Sequence, residues 1–254
     1  MIFILSPSKS MFKDRRVLPE VSFPVCEKEY RELVKIIKGW SFKVVQKMMK
    51  TSDVLTKETM ETFVSFPEII SQENSNPAIL AYKGDVYQGL KAETLSEADL
   101  NFAQQHLRIL SGLFGVLKPF DLIPPYRLEM GLPLTTKKYK NIYSFWGDKI
   151  TSELVRTLGN HKNKILINLA SNEYFSSLQI KKFPYPVYHI DFRENKNGKL
   201  AGNSITNKKM KGVMANFIIR NRTENPEELK SFSEDGFTFS PAHSGEFHFT
   251  FVRK

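Results

Sequence analysis

Cysteine is almost missing from this chain. Cys26 is the one cysteine in 254 residues, so no disulfide can form within the chain and no Cys-x-x-Cys metal or redox motif exists. That usage fits a reducing compartment. Long apolar runs are missing too. The N-terminal run Ile2–Leu5 is too short for a signal-peptide core, and no stretch approaches the length of a membrane span. The expectation is a cytoplasmic chain with no membrane partner. Internal repeats and Gly/Ser-rich seams are also lacking, which points to one domain over residues 1–254. Acidic residues are scarce relative to basic ones, 27 against 37, for a net charge of +10. Such an excess suits a polyanionic partner or, equally, a merely basic soluble surface.

Several chemical signatures are absent as well. There is no Gly-x-Gly-x-x-Gly for a dinucleotide. Gly84 and Gly89 have phosphate-loop spacing, but Leu90 and Lys91 follow where Lys and Ser/Thr are required. His106, His161, His189, His243 and His248 form no His-Glu-x-x-His motif, so no metal and no cofactor is expected. His189 and Asp191 alternate on an expected strand and read best as a local structural pair. Ser171 lacks a Gly-x-Ser-x-Gly elbow and reads as a helix cap. No catalytic residue is assigned.

What is present is a mixture of periodicities. Ile2–Ser6 reads as a buried strand, followed by a proline-containing loop to Cys26. Glu27–Phe66 reads as three helices, with Ser41 capping the second. Ala78–Tyr82 reads as a strand. Ser96 opens a helix whose apolar face runs through Leu100, Ala103, Leu107 and Leu110. Lys118–Pro133 is irregular, Tyr143–Leu158 helical, Ile165–Leu169 a strand, and Ser171–Leu178 a short helix. Val187–Phe192 and Lys199–Ile205 form a strand pair turning at Asn197-Gly198. Asn207–Arg220 is an amphipathic helix, and Phe237–Phe239 with Glu246–Val252 a closing hairpin. Strands scattered among helices predict a mixed α/β (α+β) class, with a mixed sheet and surrounding helices.

Three features carry functional readings. The window Lys196–Arg222 holds seven Lys/Arg and no acid. Lys208, Lys209 and Lys211 lie opposite or beside the apolar helix face, where they can neutralise phosphates or simply be solvated. In Leu110–Leu117, Gly112 and Gly115 permit a tight turn whose N–H groups can meet a phosphate, the logic of a helix–hairpin–helix. Two residues, Leu113 and Phe114, separate those glycines where a typical hairpin has one, and a buried structural turn fits equally. Finally, Lys83, Asp85, Arg127, Glu129, Asn168 and Glu173 flank apolar runs. They form either a structural ion-pair network or a polar pocket with Asp85 or Glu129 as acid/base.

Blocks along nearly the whole chain resemble the YaaA family of bacterial peroxide-stress proteins: Ser6-Pro7-Ser8-Lys9, Ala81–Tyr87, Leu107–Leu117, Pro125–Gly131, Phe145–Asp148 and Ile167–Tyr174. The resemblance implies a protein that protects cells against hydrogen peroxide. It also implies a DNA-binding α/β fold with a positive cleft and a helix–hairpin–helix at Gly112–Gly115. The family is linked to limiting free iron, although no iron ligands are evident here. Two positions depart from its pattern. The first loop usually reads Ser-Pro-Ala-Lys-Thr where this chain has Ser6–Ser10, and arginine often stands where this chain has Lys211, which loses bidentate geometry. The expected DNA contacts, to duplex or branched DNA without sequence preference, are Lys9, Arg108, Gly112, Leu113, Gly115, Lys118, Lys208, Lys209 and Lys211. The alternative is an enzyme acting on a nucleic acid or nucleotide through the pocket of Lys83, Asp85, Arg127, Glu129, Asn168 and Glu173, with Lys9.

Overall fold

The computed structural model describes residues 1–134, 136–196 and 198–253. Its centre is β1 (Ile2–Leu5), every residue of which is fully buried. A strand apolar at consecutive positions needs cover on both sheet faces and parallel neighbours reached by helical crossovers. Such neighbours are present. β1 pairs in parallel with β3 (Leu107–Ser111) on one side and with β6 (Leu166–Asn168) on the other. Beyond β6 follow β7 (Val187–Lys196) and β11 (His248–Arg253), both parallel. Antiparallel strands finish the sheet: β4 (Gly115–Leu117) on β3, β8 (Lys199–Ala201) on β7, then β10 (Phe237–Phe239) and β9 (Ser233–Glu234) beyond β11. The fold is a mixed α/β sheet with surrounding helices. A separate two-stranded pairing joins β2 (Asn76–Pro77) to β5 (Leu122–Ile123).

The helices follow the apolar stripes. α1 (Glu27–Lys38), α2 (Phe42–Met49) and α3 (Asp53–Val64) form the three-helix stretch. Ser41 stands at the N-cap of α2, but its side chain makes no capping bond, whereas Ser52 accepts from Leu55 N–H at the head of α3. The helices α4 (Ala78–Ala81), α5 (Asp85–Leu90) and α6 (Glu97–His106) fill the rest of the crossover from β1 to β3. At α6, Ser96 Oγ accepts from Asp99 N–H at 3.2 Å and Asp99 accepts from Ser96 N–H at 3.1 Å, a reciprocal capping box. The later helices are α7 (Ile142–Trp146), α8 (Lys149–Gly159), α9 (Asn172–Phe175) and α10 (Ser204–Asn221).

Four expectations are corrected. Ala78–Tyr82 is a helical turn rather than a strand, since Ala78 and Ile79 donate their N–H groups to Asp121 and Pro119 carbonyls. The helix expected through Tyr143–Leu158 is two helices, broken at Gly147 with φ +55°. Strand β8 stops at Ala201, because the Asn203 side chain accepts from the N–H groups of Ile205 and Thr206 and starts α10 there; Asn197 of the expected turn lies outside the described residues. The fourth correction bears on function.

No helix–hairpin–helix is formed at Leu107–Leu117. Helix α6 ends at His106, and Leu107–Ser111 with Gly115–Leu117 is a buried β-hairpin. Leu107 and Leu110 suit a helix stripe, yet the neighbouring Ile109 is apolar too, and a run that is apolar throughout fits a central strand equally well. The glycines serve packing. A Cβ at Gly112 would stand 2.2 Å from the Leu128 carbonyl oxygen, and one at Gly115 would stand 2.7 Å from the Trp146 ring. Trp146 Nε1 donates to Gly112 O at 2.9 Å. Leu113 is fully buried. Arg108 is enclosed as well: its guanidinium donates to the carbonyls of Gln104 and Leu107, and burial draws its pKa down to about 10. None of these four residues offers a surface to a phosphate.

The hairpin reading predicts that G112A lowers stability by about 1–3 kcal/mol, the usual range for overpacking a well-filled interior. Urea denaturation reads it directly. Unchanged stability would mean that Leu128 is not held against this turn.

Candidate functional site

The parallel core has the spatial order β3-β1-β6-β7-β11. The chain runs outward from β1 to β3, then returns to the other side of β1 and continues through β6, β7 and β11. In open α/β sheets, ligands bind where that direction reverses, beyond the carboxyl ends of the two strands concerned. Here those ends belong to β1 and β6. The loops Ser6–Ser10 and Leu169–Ser171 leave them side by side, and a cavity of about 720 Å³ opens there. Strand β6 pairs with β7 only as far as His189. The rest of β7 runs on past it, so His189, Asp191 and Arg193 face the cavity as a wall.

The floor is a set of short polar bonds. Ser171 N–H donates to Ser6 Oγ at 2.8 Å, and Ser6 Oγ donates to Ser171 Oγ at 3.2 Å, stitching the two loops together. Tyr87 OH donates to Ser6 O at 3.1 Å. Asn168 Oδ1 accepts from Ala170 N–H at 2.9 Å, and its amide lies 3.1 Å from His189 Nδ1. An amide donor there leaves the His189 proton on Nε2. Burial, with His248 and Lys211 nearby, holds the His189 pKa below its ordinary value.

Helix α10 seats the cationic side. It crosses α5 at the closest approach two backbones allow: a Cβ on Gly212 would stand 1.8 Å from Val86 O, and one on Gly89 would stand 2.1 Å from Lys209 O. Three lysines on this helix have three fates. Lys208 is exposed at the cavity rim. Lys209 turns away and pairs with Asp235 at 2.9 Å. Lys211 points inward and donates to Ala170 O at 2.8 Å, with no carboxylate within ion-pair distance among the described residues. Desolvation lowers its pKa, against a smaller opposing pull from Asp191. Asp191 itself is taken up by Arg193 and by the Asn207 amide at 2.9 Å.

The polar residues singled out in the sequence come together unevenly. Lys9, Lys83, Asp85, Asn168 and Glu173 all line the cavity. Arg127 and Glu129 stand behind it: Glu129 Oε1 receives Arg127 at 3.0 Å and Lys9 at 3.3 Å, while buried Oε2 has no partner. Glu173 accepts from Gly131 N–H at 3.0 Å, so the Pro125–Gly131 segment braces both carboxylates. Lys118 is half-buried after β4, its N–H bonded to Asp121, and does not line the cavity. Ser6, Arg193 and Asn207 carry no role in the sequence reading. Ser6 stands in the Ser6–Lys9 block that resembles the family, and Arg193 continues the alternation of His189 and Asp191. Asn207 has no signal, because only the fold places it at the cavity. Among the described residues, no three His, Cys, Asp or Glu gather as a metal site, and no helix is long and apolar enough to cross a membrane.

Comparison with known proteins now decides the family. A model of the family described as peroxide stress protein YaaA matches residues 1–243. The chain belongs to this family. A UPF0246 protein of Acaryochloris marina is 42% identical over 253 residues, and one of Crocosphaera subtropica is 37% identical over 254; each match covers the whole of both chains. Three of the blocks that resemble the family, Ser6–Lys9, Ile167–Tyr174 and Pro125–Gly131, lie on the two loops of the switch point and on the segment bracing them, whereas Leu107–Leu117 and Phe145–Asp148 lie in the buried hairpin and at the end of α7.

The inward amine has a definite signature. Its neutral form appears at lower pH than for an ordinary lysine, so any anion held by its charge is released as pH rises through that lowered value. Competitive trace labelling with acetic anhydride across pH, read by peptide mass spectrometry, should place the Lys211 midpoint below the ordinary lysine value. A midpoint at or above 10.5 would mean that a carboxylate pairs with it.

Proposed function

We propose that this peroxide-stress protein binds DNA through the switch-point cleft and receives one unpaired or extruded nucleotide in the cavity. The single observation carrying this reading is the meeting of Lys9, Lys83, Lys208 and Lys211, from three separate chain segments, around one cavity of about 720 Å³. Lysines of this kind suit phosphate oxygens and carry no base code, so binding follows backbone and shape. A cavity of that size lies in the range of small-ligand sites. A stacked base pair cannot enter it, whereas a nucleotide rotated out of the stack can. Asn168, Glu173 and Asp85 supply acceptors and donors for a base edge or sugar hydroxyl. Lys209, Lys118 and the Gly112–Gly115 turn have no part in this reading. A cytoplasmic setting, where DNA resides in a bacterium, belongs to the same proposal.

A second reading has its own support. Lys211 is an amine of reduced proton affinity in the same cavity as three carboxylates, Asp85, Glu173 and the Arg193-paired Asp191, which is the composition of a proton-transfer site on a nucleotide. Release of base, phosphate or a strand break from bound DNA would select it over binding alone.

Fluorescence anisotropy with a plain duplex and the same duplex carrying a one-nucleotide bulge, at two salt concentrations, tests the main reading. The bulged DNA should bind roughly tenfold more tightly, as expected when the unpairing cost is already met. Replacing Lys83, Lys208 and Lys211 together by Gln should reduce the slope of log K against log salt by about 0.9 for each phosphate no longer neutralised. Equal affinity for both DNAs, with a slope unchanged by the triple variant, would overturn it.

A further inference from the structure

A second cavity, of about 400 Å³, lies next to the first and shares Lys83, Gly84 and Tyr87 with it. Its cationic side is unusual. The Arg16 guanidinium stacks 3.4 Å from the centroid of the Phe12 ring, and Lys83 Nζ lies 4.5 Å from the same centroid. Both cations are drawn to the ring quadrupole. Their sole carboxylate neighbour among the described residues is Asp14, itself exposed, 3.4 Å from Arg16. Arg16 Nε is buried with no acceptor. The backbone is fixed there nonetheless: Arg16 N–H donates to Asn76 Oδ1 at 2.8 Å, and the Asn76 amide donates to Asp14 O at 3.0 Å. Arg16 thus has one exposed acid as its partner, and Lys83 has no carboxylate within ion-pair distance among the described residues. The rest of the lining is apolar and aromatic, with Leu80, Tyr82 and Tyr87, and carries Gln88 and Glu93 as polar groups.

We infer that this second cavity is a subsite for the neighbouring nucleotide of the same strand, its base between the Arg16 plane and the Tyr82–Tyr87 wall, and that Lys83 holds the phosphate linking the two sites. The inference rests on the nucleotide reading of the first cavity. An Arg plane and an aromatic wall accept any base face, so the subsite selects single-stranded character rather than sequence. Gln88 and Glu93 can receive exocyclic amino groups. A phosphate in this cavity would meet both Arg16 and Lys83, which line it. Nothing in the first cavity needs Phe12 or Arg16, which lie outside its lining.

Isothermal titration with 5′-phosphorylated thymidine mono- and dinucleotides tests the pairing of the two sites. The unaltered chain should bind the dinucleotide about tenfold more tightly than the mononucleotide, a gain typical of one added stacked base. R16Q should abolish that gain and leave mononucleotide affinity unchanged. F12L, which keeps apolar bulk but removes the ring, should act in the same direction, so the result does not hang on one variant's folding. A mononucleotide that binds while the dinucleotide gains nothing, or a gain that survives both variants, would overturn the second subsite and leave the first reading standing. Failure of both ligands to bind would overturn the two together.

Discussion

The parallel pairing of β1 with β3 on one side and β6 on the other is the constraint from which the rest of the molecule follows. A four-residue strand buried on both faces has no freedom of register, since a shift by one residue would drive Ser6 into the sheet. Pairing with β6 then sets Asn168 beside Ile4, and the two loops leave the sheet together. The Ser6–Ser171 bonds are the consequence. So is the cavity, because β7 continues where β6 stops and supplies a wall with no further chain required. The second constraint, the glycine-to-glycine crossing of α5 and α10, fixes how near the lysine-bearing helix comes to that opening.

Much of this was legible in the residues, and what escaped had physical causes. Long periodic stretches such as α1 and α10, and the short apolar strands β1 and β6, are decided by local pattern. Leu107–Leu110 is not, because consecutive apolar residues satisfy both periods; only the open edge of β1 chooses strand. The same ambiguity made a DNA-binding hairpin of Gly112–Gly115, where glycine is in fact required by Leu128 and Trp146, both remote in sequence. The polar pocket shows the converse. Lys9, Lys83, Asp85, Asn168 and Glu173 stand out as charges beside apolar runs, yet their meeting is a property of strand order, which no local window contains.

Consecutive lysines on α10 show how little net charge says about a site. Residues 208, 209 and 211 differ by about 100° per residue around the helix, and that rotation alone sends one to the rim, one to Asp235 and one inward. Paired at the surface, Lys209 contributes little and is screened by salt. Lys211 is the costly one: it gives up water for a single carbonyl and meets no carboxylate among the described residues. A methionine there would fill the same space without a charge to desolvate. A chain that keeps a charge in so unfavourable a place is balanced toward something absent from the fold itself. An anion beside the amine would offset that desolvation, and loss of the proton is the other way to relieve it. The cavity is where such an anion would meet it, since Lys211 is part of the cavity lining.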